Sequence, residues 1–194
     1  MRIIAGKFKA KKINSPKTDL TRPTLDRVKE ALFSIISEYI PDSNVLDLFS
    51  GTGNLGLESI SRGAKFAWLN DDKNLAISTI ISNTLLTNTQ NCVKITKKDY
   101  MKCLNKILTE NIKFNVIFLD PPYDTRYGLN TLKFIDENLG KILEDNGIIV
   151  YETDKNFVQK MQKSDINSFS NFDNLDCVDE RSYSNVVLKM YKWR

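Results

Sequence analysis

With 194 residues, 41% hydrophobic and 27% charged, the chain is expected to form one globular domain that buries roughly 70% of its unfolded surface. It has no histidine, which excludes Ser-His-Asp, Cys-His and histidine–metal mechanisms and leaves chemistry to carboxylates, lysines, tyrosines, backbone groups or a cofactor. Cys92, Cys103 and Cys177 show no metal-ligand spacing, and no stretch is long and apolar enough for a bilayer or a secretory signal, so a cytoplasmic protein with reduced cysteines, no metal and no membrane contact is expected.

In chain order, residues 2–13 mix β-branched and basic residues around Gly6-Lys7, the pattern of a small hairpin or an extended arm. The net charge of +4 is concentrated here. Residues 1–30 hold nine Lys/Arg against Asp19, Asp26 and Glu30, and the rest of the chain is slightly acidic. A basic arm of residues 1–20 on a near-neutral body (21–194) suits a polyanion, although a solvated terminus would look the same. After the break at Ser15-Pro16, Thr24 can cap a helix with Leu25, Val28, Leu32, Ile35, Ile36 and Tyr39 on its apolar face, ended by Pro41-Asp42.

Strand and helix then alternate. Strands are expected at 44–49, 65–69, 93–96, 114–119 and 148–152, with helices at 53–62, 73–87, 100–110 and 129–143. In the second of these helices Ala76, Ile77, Ile80, Ile81 and Leu85 are expected to face inward. Such alternation predicts a parallel sheet with right-handed crossovers. The ending differs. A short helix near 157–163 and irregular residues 169–176 precede strands at 177–179 and 186–191, too closely joined to be parallel. No long apolar surface helix is evident, so a monomer is expected.

Two strand ends carry chemistry. Asp47-Leu48-Phe49-Ser50-Gly51-Thr52-Gly53-Asn54-Leu55-Gly56 joins an acidic strand end to a glycine turn and a helix start. That spacing fits dinucleotides, S-adenosylmethionine or a turn with no ligand. Asp47 favours S-adenosylmethionine, because a carboxylate there repels a pyrophosphate but suits an ammonium and a sulfonium. Asp71, at the next strand end, can accept ribose hydroxyls, with Asp72 as a rival, and either can cap the following helix. At the end of the apolar run 116–119, Asp120-Pro121-Pro122-Tyr123 makes a stiff turn. Neither proline can extend the ladder, and Pro121 keeps Asp120 out of the helical region.

Asp-Pro-Pro-Tyr resembles the catalytic motif of S-adenosylmethionine-dependent methyltransferases that modify exocyclic amines, mostly of nucleic-acid bases. The resemblance implies a Rossmann-like class I methyltransferase fold, an α/β protein with a mostly parallel seven-stranded sheet, an antiparallel C-terminal edge pair and helices on both faces. Met1-Arg2-Ile3-Ile4-Ala5-Gly6-Lys7, Thr21-Arg22-Pro23-Thr24, Arg27-Val28-Lys29-Glu30-Ala31-Leu32-Phe33 and Ser61-Arg62-Gly63-Ala64 are similar to the RsmD family, bacterial 16S rRNA guanine-N2 methyltransferases. That likeness implies catalysis by Asp120, Pro121, Pro122 and Tyr123. It implies S-adenosylmethionine contacts from Asp47, Phe49, Ser50, Gly51, Gly53, Asp71, Asp99 and Tyr100, with Asp99 at the adenine amine or capping its helix. RNA contacts would come from Lys7, Lys9, Lys11, Lys12 and Arg22. The implied partner is small-subunit rRNA within the 30S subunit or an assembly intermediate, its target base flipped onto Tyr123. The competing functions are an adenine-N6 methyltransferase on DNA or RNA and a non-catalytic RNA-binding or assembly factor.

Overall fold

Apolar runs of four to six residues between helices pair side by side because their backbone groups must be bonded once buried. The computed structural model describes residues 1–15, 26–122, 125–164 and 169–194. Parallel strands β1 (Asn44–Asp47), β2 (Phe66–Asp71), β3 (Val93–Lys97), β4 (Phe114–Leu119) and β5 (Leu143–Asp154) are followed by β6 (Leu175–Tyr183) and β7 (Val186–Trp193). They form a sheet of order β3-β2-β1-β4-β5-β7-β6, in which β7 runs antiparallel to both β5 and β6. The expected fold class is the observed one. Because β1 has β2 on one side and β4 on the other, successive connections diverge there and open a crevice at the strand C-termini, the place where such sheets bind ligands.

Helices cover both faces: α1 (Asp26–Ile35), α2 (Asn54–Ser61), α3 (Asn74–Thr87), α4 (Tyr100–Glu110), α5 (Tyr127–Glu137), α6 (Leu139–Ile142) and α7 (Lys155–Ser164). Side-chain alternation along β4 divides the core. Ile117 and Leu119 pack with Trp68, Leu104, Leu132 and Tyr151. Val116 and Phe118 pack with Val28, Phe33, Leu55 and Leu188 on the other face. Among the described residues no helix is long and apolar enough to cross a membrane. Thr24, the expected cap of α1, and Arg22 lie outside the described residues.

Of the two forms expected for residues 2–13, the structure shows the hairpin, bridged antiparallel at Arg2 and Lys12, with Ile3 and Ile13 buried against Leu57 of α2. Two elements depart from expectation. The strand β5 begins five residues early, at Leu143, so the expected helix at 129–143 divides into α5 and α6. In α3 the expected inward Ile81 and Leu85 are exposed, with Leu75 53% and Leu85 59% accessible. Thr79, Asn83, Thr84 and Thr87 are buried instead. The threonines bond to their own helix, Thr79 to Leu75 O and Thr87 to Asn83 O, and Asn83 bonds to Asn14 and Thr52 O, so burying them costs little. The apolar outer face of α3 removes the ground on which a monomer was expected.

The hairpin is held by one buried charge centre. Glu58 on α2 is 0% exposed and accepts from Ile4 N (2.8 Å) and Ala5 N (3.0 Å). The same carboxylate pairs with Lys29 of α1 at 3.0 Å and with Arg62 at 2.8 Å. Lys29, also 0% exposed, donates further to Arg2 O and Asn54 Oδ1. Burial holds its ammonium below the usual lysine range, an effect that Glu58 partly offsets. A cation and an anion thus share the space under the hairpin with all their bonds made, as buried charges require.

Candidate active site

The glycine turn follows β1. Gly51 (φ 55°) and Gly53 (φ 77°) have left-handed backbones that only glycine adopts freely. A Cβ on Gly56 would lie 2.2 Å from Leu69 Cδ2, so glycine there lets α2 seat directly on β2. Asp47 is buried, with Oδ2 accepting from Gly56 N at 3.1 Å, while Ser50 Oγ donates to Asp47 O at 2.6 Å. Across the turn, Asp71 Oδ2 accepts from Gly51 N (2.9 Å) and Oδ1 from Lys73 N (3.0 Å). Asp72 is exposed. Of the two candidate acids, Asp71 is therefore the one that faces the glycine turn.

Asn70, which the sequence reading left without a role, fastens this pocket. It is 1% exposed. Its Nδ2 donates to Leu48 O (3.2 Å) and Lys98 O (3.0 Å), and Oδ1 accepts from Thr96 Oγ1 (2.9 Å). Its backbone exchanges bonds with Ser50, N to Oγ at 3.0 Å and O from Ser50 N at 2.9 Å. One carboxamide ties together the ends of β1, β2 and β3. The readable signal was a polar side chain in an otherwise apolar buried strand, which must find partners.

At the end of β3, Asp99 caps α4, its Oδ1 accepting from Met101 N and Lys102 N. The Tyr100 ring lies 5.6 Å from Phe49 and stacks on Tyr127 at 4.8 Å. Tyr127, also missed in the sequence, completes an aromatic wall along the strand ends.

β4 ends beside β1, Asp47 in register with Phe118, so Asp120 emerges at the same crevice. Pro121 is buried and Pro122 exposed, and Pro122 O accepts from Thr125 Oγ1 at 2.7 Å. Nothing among the described residues donates to the Asp120 carboxylate. Tyr123 lies outside the described residues. Burial pushes both Asp47 and Asp120 up to about 7; the Gly56 amide opposes the shift at Asp47, and the Asp120 charge adds to it. Burial also raises Asp71, against the two amides it accepts.

These shifts have a sign. A carboxyl whose pKa is raised by folding binds its proton more tightly folded than unfolded, so ionising it costs stability. With ordinary values near 3.8 and folded values of about 7, stability should fall as pH rises through that window and level off above about 7. We expect a loss of roughly 2–4 kcal/mol between pH 5.5 and 8, read from urea unfolding, and a flatter profile for Asp47→Asn/Asp120→Asn. A cationic ligand should show the opposite trend, binding more weakly as pH falls below 7. A pH-independent wild type would remove the Asp47–Asp120 carboxylates from this account.

The RNA-contact candidates are not all brought to the crevice. Lys7, Lys9, Lys11 and Lys12 are exposed. The hairpin runs along α2, from Met1 beside Thr52 to Phe8, whose N–H donates to Ser61 Oγ. Lys7 and Lys9 therefore sit at the far end of α2, about 12 Å from the glycine turn for an eight-residue helix. Lys12, paired with Arg2, is nearer the turn.

This strand order, with an acidic glycine turn at β1 and an acid-proline corner at β4, defines a class I methyltransferase. The chain belongs to the RsmD family, matching over residues 1–192 the family model described as Conserved hypothetical protein 95. It is similar to the ribosomal RNA small subunit methyltransferase D of Escherichia coli, 35% identical over 152 residues (78% of this chain, 71% of that protein). YlbH of Bacillus subtilis is 36% identical over 155 residues, covering 80% of this chain and 83% of that protein. Among solved structures, yhhF of Escherichia coli superposes with a TM-score of 0.81 at 27% identity, covering 100% of this chain and 98% of that one.

Proposed function

We propose that this chain transfers a methyl group from S-adenosylmethionine to the N2 amine of one guanine in small-subunit rRNA. The observation that carries the reading is the Asp120 carboxylate, to which no described residue donates, at the crevice beside Asp47. The relative named ribosomal RNA small subunit methyltransferase D supports the substrate class.

The donor set fits the cofactor. The buried Asp47 at the glycine turn, with the half-buried Asp71 and Asp120 around it, disfavours a pyrophosphate and suits a ligand with ammonium and sulfonium charges. Asp47, Ser50, Gly51 and Gly53 would hold its amino-acid end, Asp71 the ribose, and Phe49, Asp99 and Tyr100 the adenine. Bound there, it supplies an electrophilic methyl carbon.

The chain's own groups do the remaining work. Asp120 and the Pro121 carbonyl accept the two N–H bonds of the target amine. This draws the nitrogen out of conjugation with its ring and stabilises the positive charge that develops on it. Pro121 and Pro122 keep these acceptors rigid, so orientation is fixed in advance. The amine becomes acidic only after alkylation, and its proton leaves then. Tyr123 would stack on the extruded base, worth ~1–3 kcal/mol. Residues 21–194 form the methyltransferase domain, and residues 1–20 are an arm integral to it rather than a separate unit.

Labelled cofactor incubated with small subunits, free 16S rRNA and DNA tests the reading, followed by mass mapping of the modified nucleotide. Label in a single rRNA guanine is expected. Label in adenine or DNA would replace the proposed substrate, and failure to bind the cofactor would favour a non-catalytic assembly factor.

A further inference from the structure

The hairpin lysines are not the only basic surface, and two of them face away from the crevice. Helix α7 buries Phe157, Val158 and Met161. It exposes Lys155, Asn156, Gln159, Lys160, Gln162 and Lys163. Its outer face is thus cationic and amide-bearing with no acid between Lys155 and Ser164, and none of its three lysines forms an ion pair among the described residues.

The placement of one lysine argues against a role in helix stability. Lys155 occupies the first turn, where the helix dipole is positive and a cation is unfavourable. The turn is instead capped by Asp154, whose Oδ1 accepts from Asn156 N at 2.8 Å. The position relative to the crevice is set by strand register. The last pair between β4 and β5 is Leu119 with Tyr151, and β5 continues to Asp154. At ~3.3 Å per residue, β5 rises roughly 10 Å past that level before α7 begins. The root of α7 therefore stands over the strand end that carries Asp120.

We propose that the outer face of α7 is a docking surface for the RNA phosphate backbone. This rests on the rRNA reading above and adds a second contact to it. Exposed cations and amide donors beside the acceptor corner suit phosphate oxygens, which need charge and N–H donors but no sequence-reading geometry. RNA held along α7 would flank the crevice into which its extruded base enters.

The test compares full-length wild type with Lys155→Ala/Lys160→Ala/Lys163→Ala, using small subunits and 16S rRNA across a salt series. A control of equal charge change, Lys65→Ala/Lys133→Ala/Lys141→Ala, removes exposed lysines elsewhere. The α7 variant should bind RNA roughly tenfold to thirtyfold more weakly, with a salt slope shallower by about two. Its KM for RNA should rise while kcat at saturating RNA and cofactor affinity stay unchanged. A change under threefold overturns the proposal, as does an equal loss in the control. Absence of RNA methylation by the wild type would instead overturn the substrate reading, and the α7 surface with it.

Discussion

Asp120→Asn is expected to lower the single-turnover rate of methyl transfer about 10²–10³-fold, the usual consequence of removing one group that stabilises developing charge. The carboxamide keeps the volume but not the negative charge, and it turns an N–H donor toward an amine that needs acceptors. Cofactor affinity, measured by calorimetry, should stay within about tenfold, since Asp47, the glycine turn and Asp71 are untouched. A second readout separates loss of chemistry from loss of fold. Because burial raises Asp120 and no described residue donates to it, the variant should melt no lower than wild type at pH 8. Near-normal turnover would sink the assignment, whereas loss of turnover with a lower melting temperature would show Asp120 to be a structural residue.

Glu58→Ala is expected to cost about 3–5 kcal/mol, the usual penalty when one partner of a buried ion pair is removed. Lys29 would stay buried beside Arg2 O and Asn54 Oδ1 without its anion, and the Ile4 and Ala5 amides would lose their acceptor. At ~2–4 °C per kcal/mol for a chain of this size, the melting temperature should fall by roughly 10 °C. Lys29→Met/Glu58→Gln should recover part of this, since the glutamine oxygen can still accept from one of the two amides and the one cation left, Arg62, is partly exposed. A drop below 3 °C for Glu58→Ala would mean that the hairpin is only loosely attached. The same contact alters how the arm should be studied. Deleting residues 1–20 would remove Ile3, Ile13 and the amides that Glu58 binds, so lost methylation could reflect α2 as readily as RNA. Single lysine variants at Lys11 and Lys12 avoid that confusion.

The crevice was legible because its signals are local. Two glycines with positive φ, an acid at a strand end and two prolines after an apolar run each dictate their own turn. Alternation of elements then placed those turns on one side of a parallel sheet. Features made by distant partners were not legible. Nothing near Glu58 in the sequence marks it as the acceptor for amides 53 and 54 residues away. The orientation of α3 could not be read from period alone, because its apolar residues lie all round the helix and its threonines satisfy themselves inside. Asn70 stands out in the sequence only as a polar residue in an apolar strand, and its partners lie at the ends of β1 and β3.

The docked hairpin also bears on the order of biogenesis. Its amides wait for Glu58, and Asn14 for Asn83, 69 positions downstream. Translation is vectorial, so this segment, which precedes α2 and α3 in the chain, can be seated only after they have been made. Until then Ile3, Phe8 and Ile13 trail in water on a cationic leash, and a slow late phase in refolding should report the moment this clasp closes.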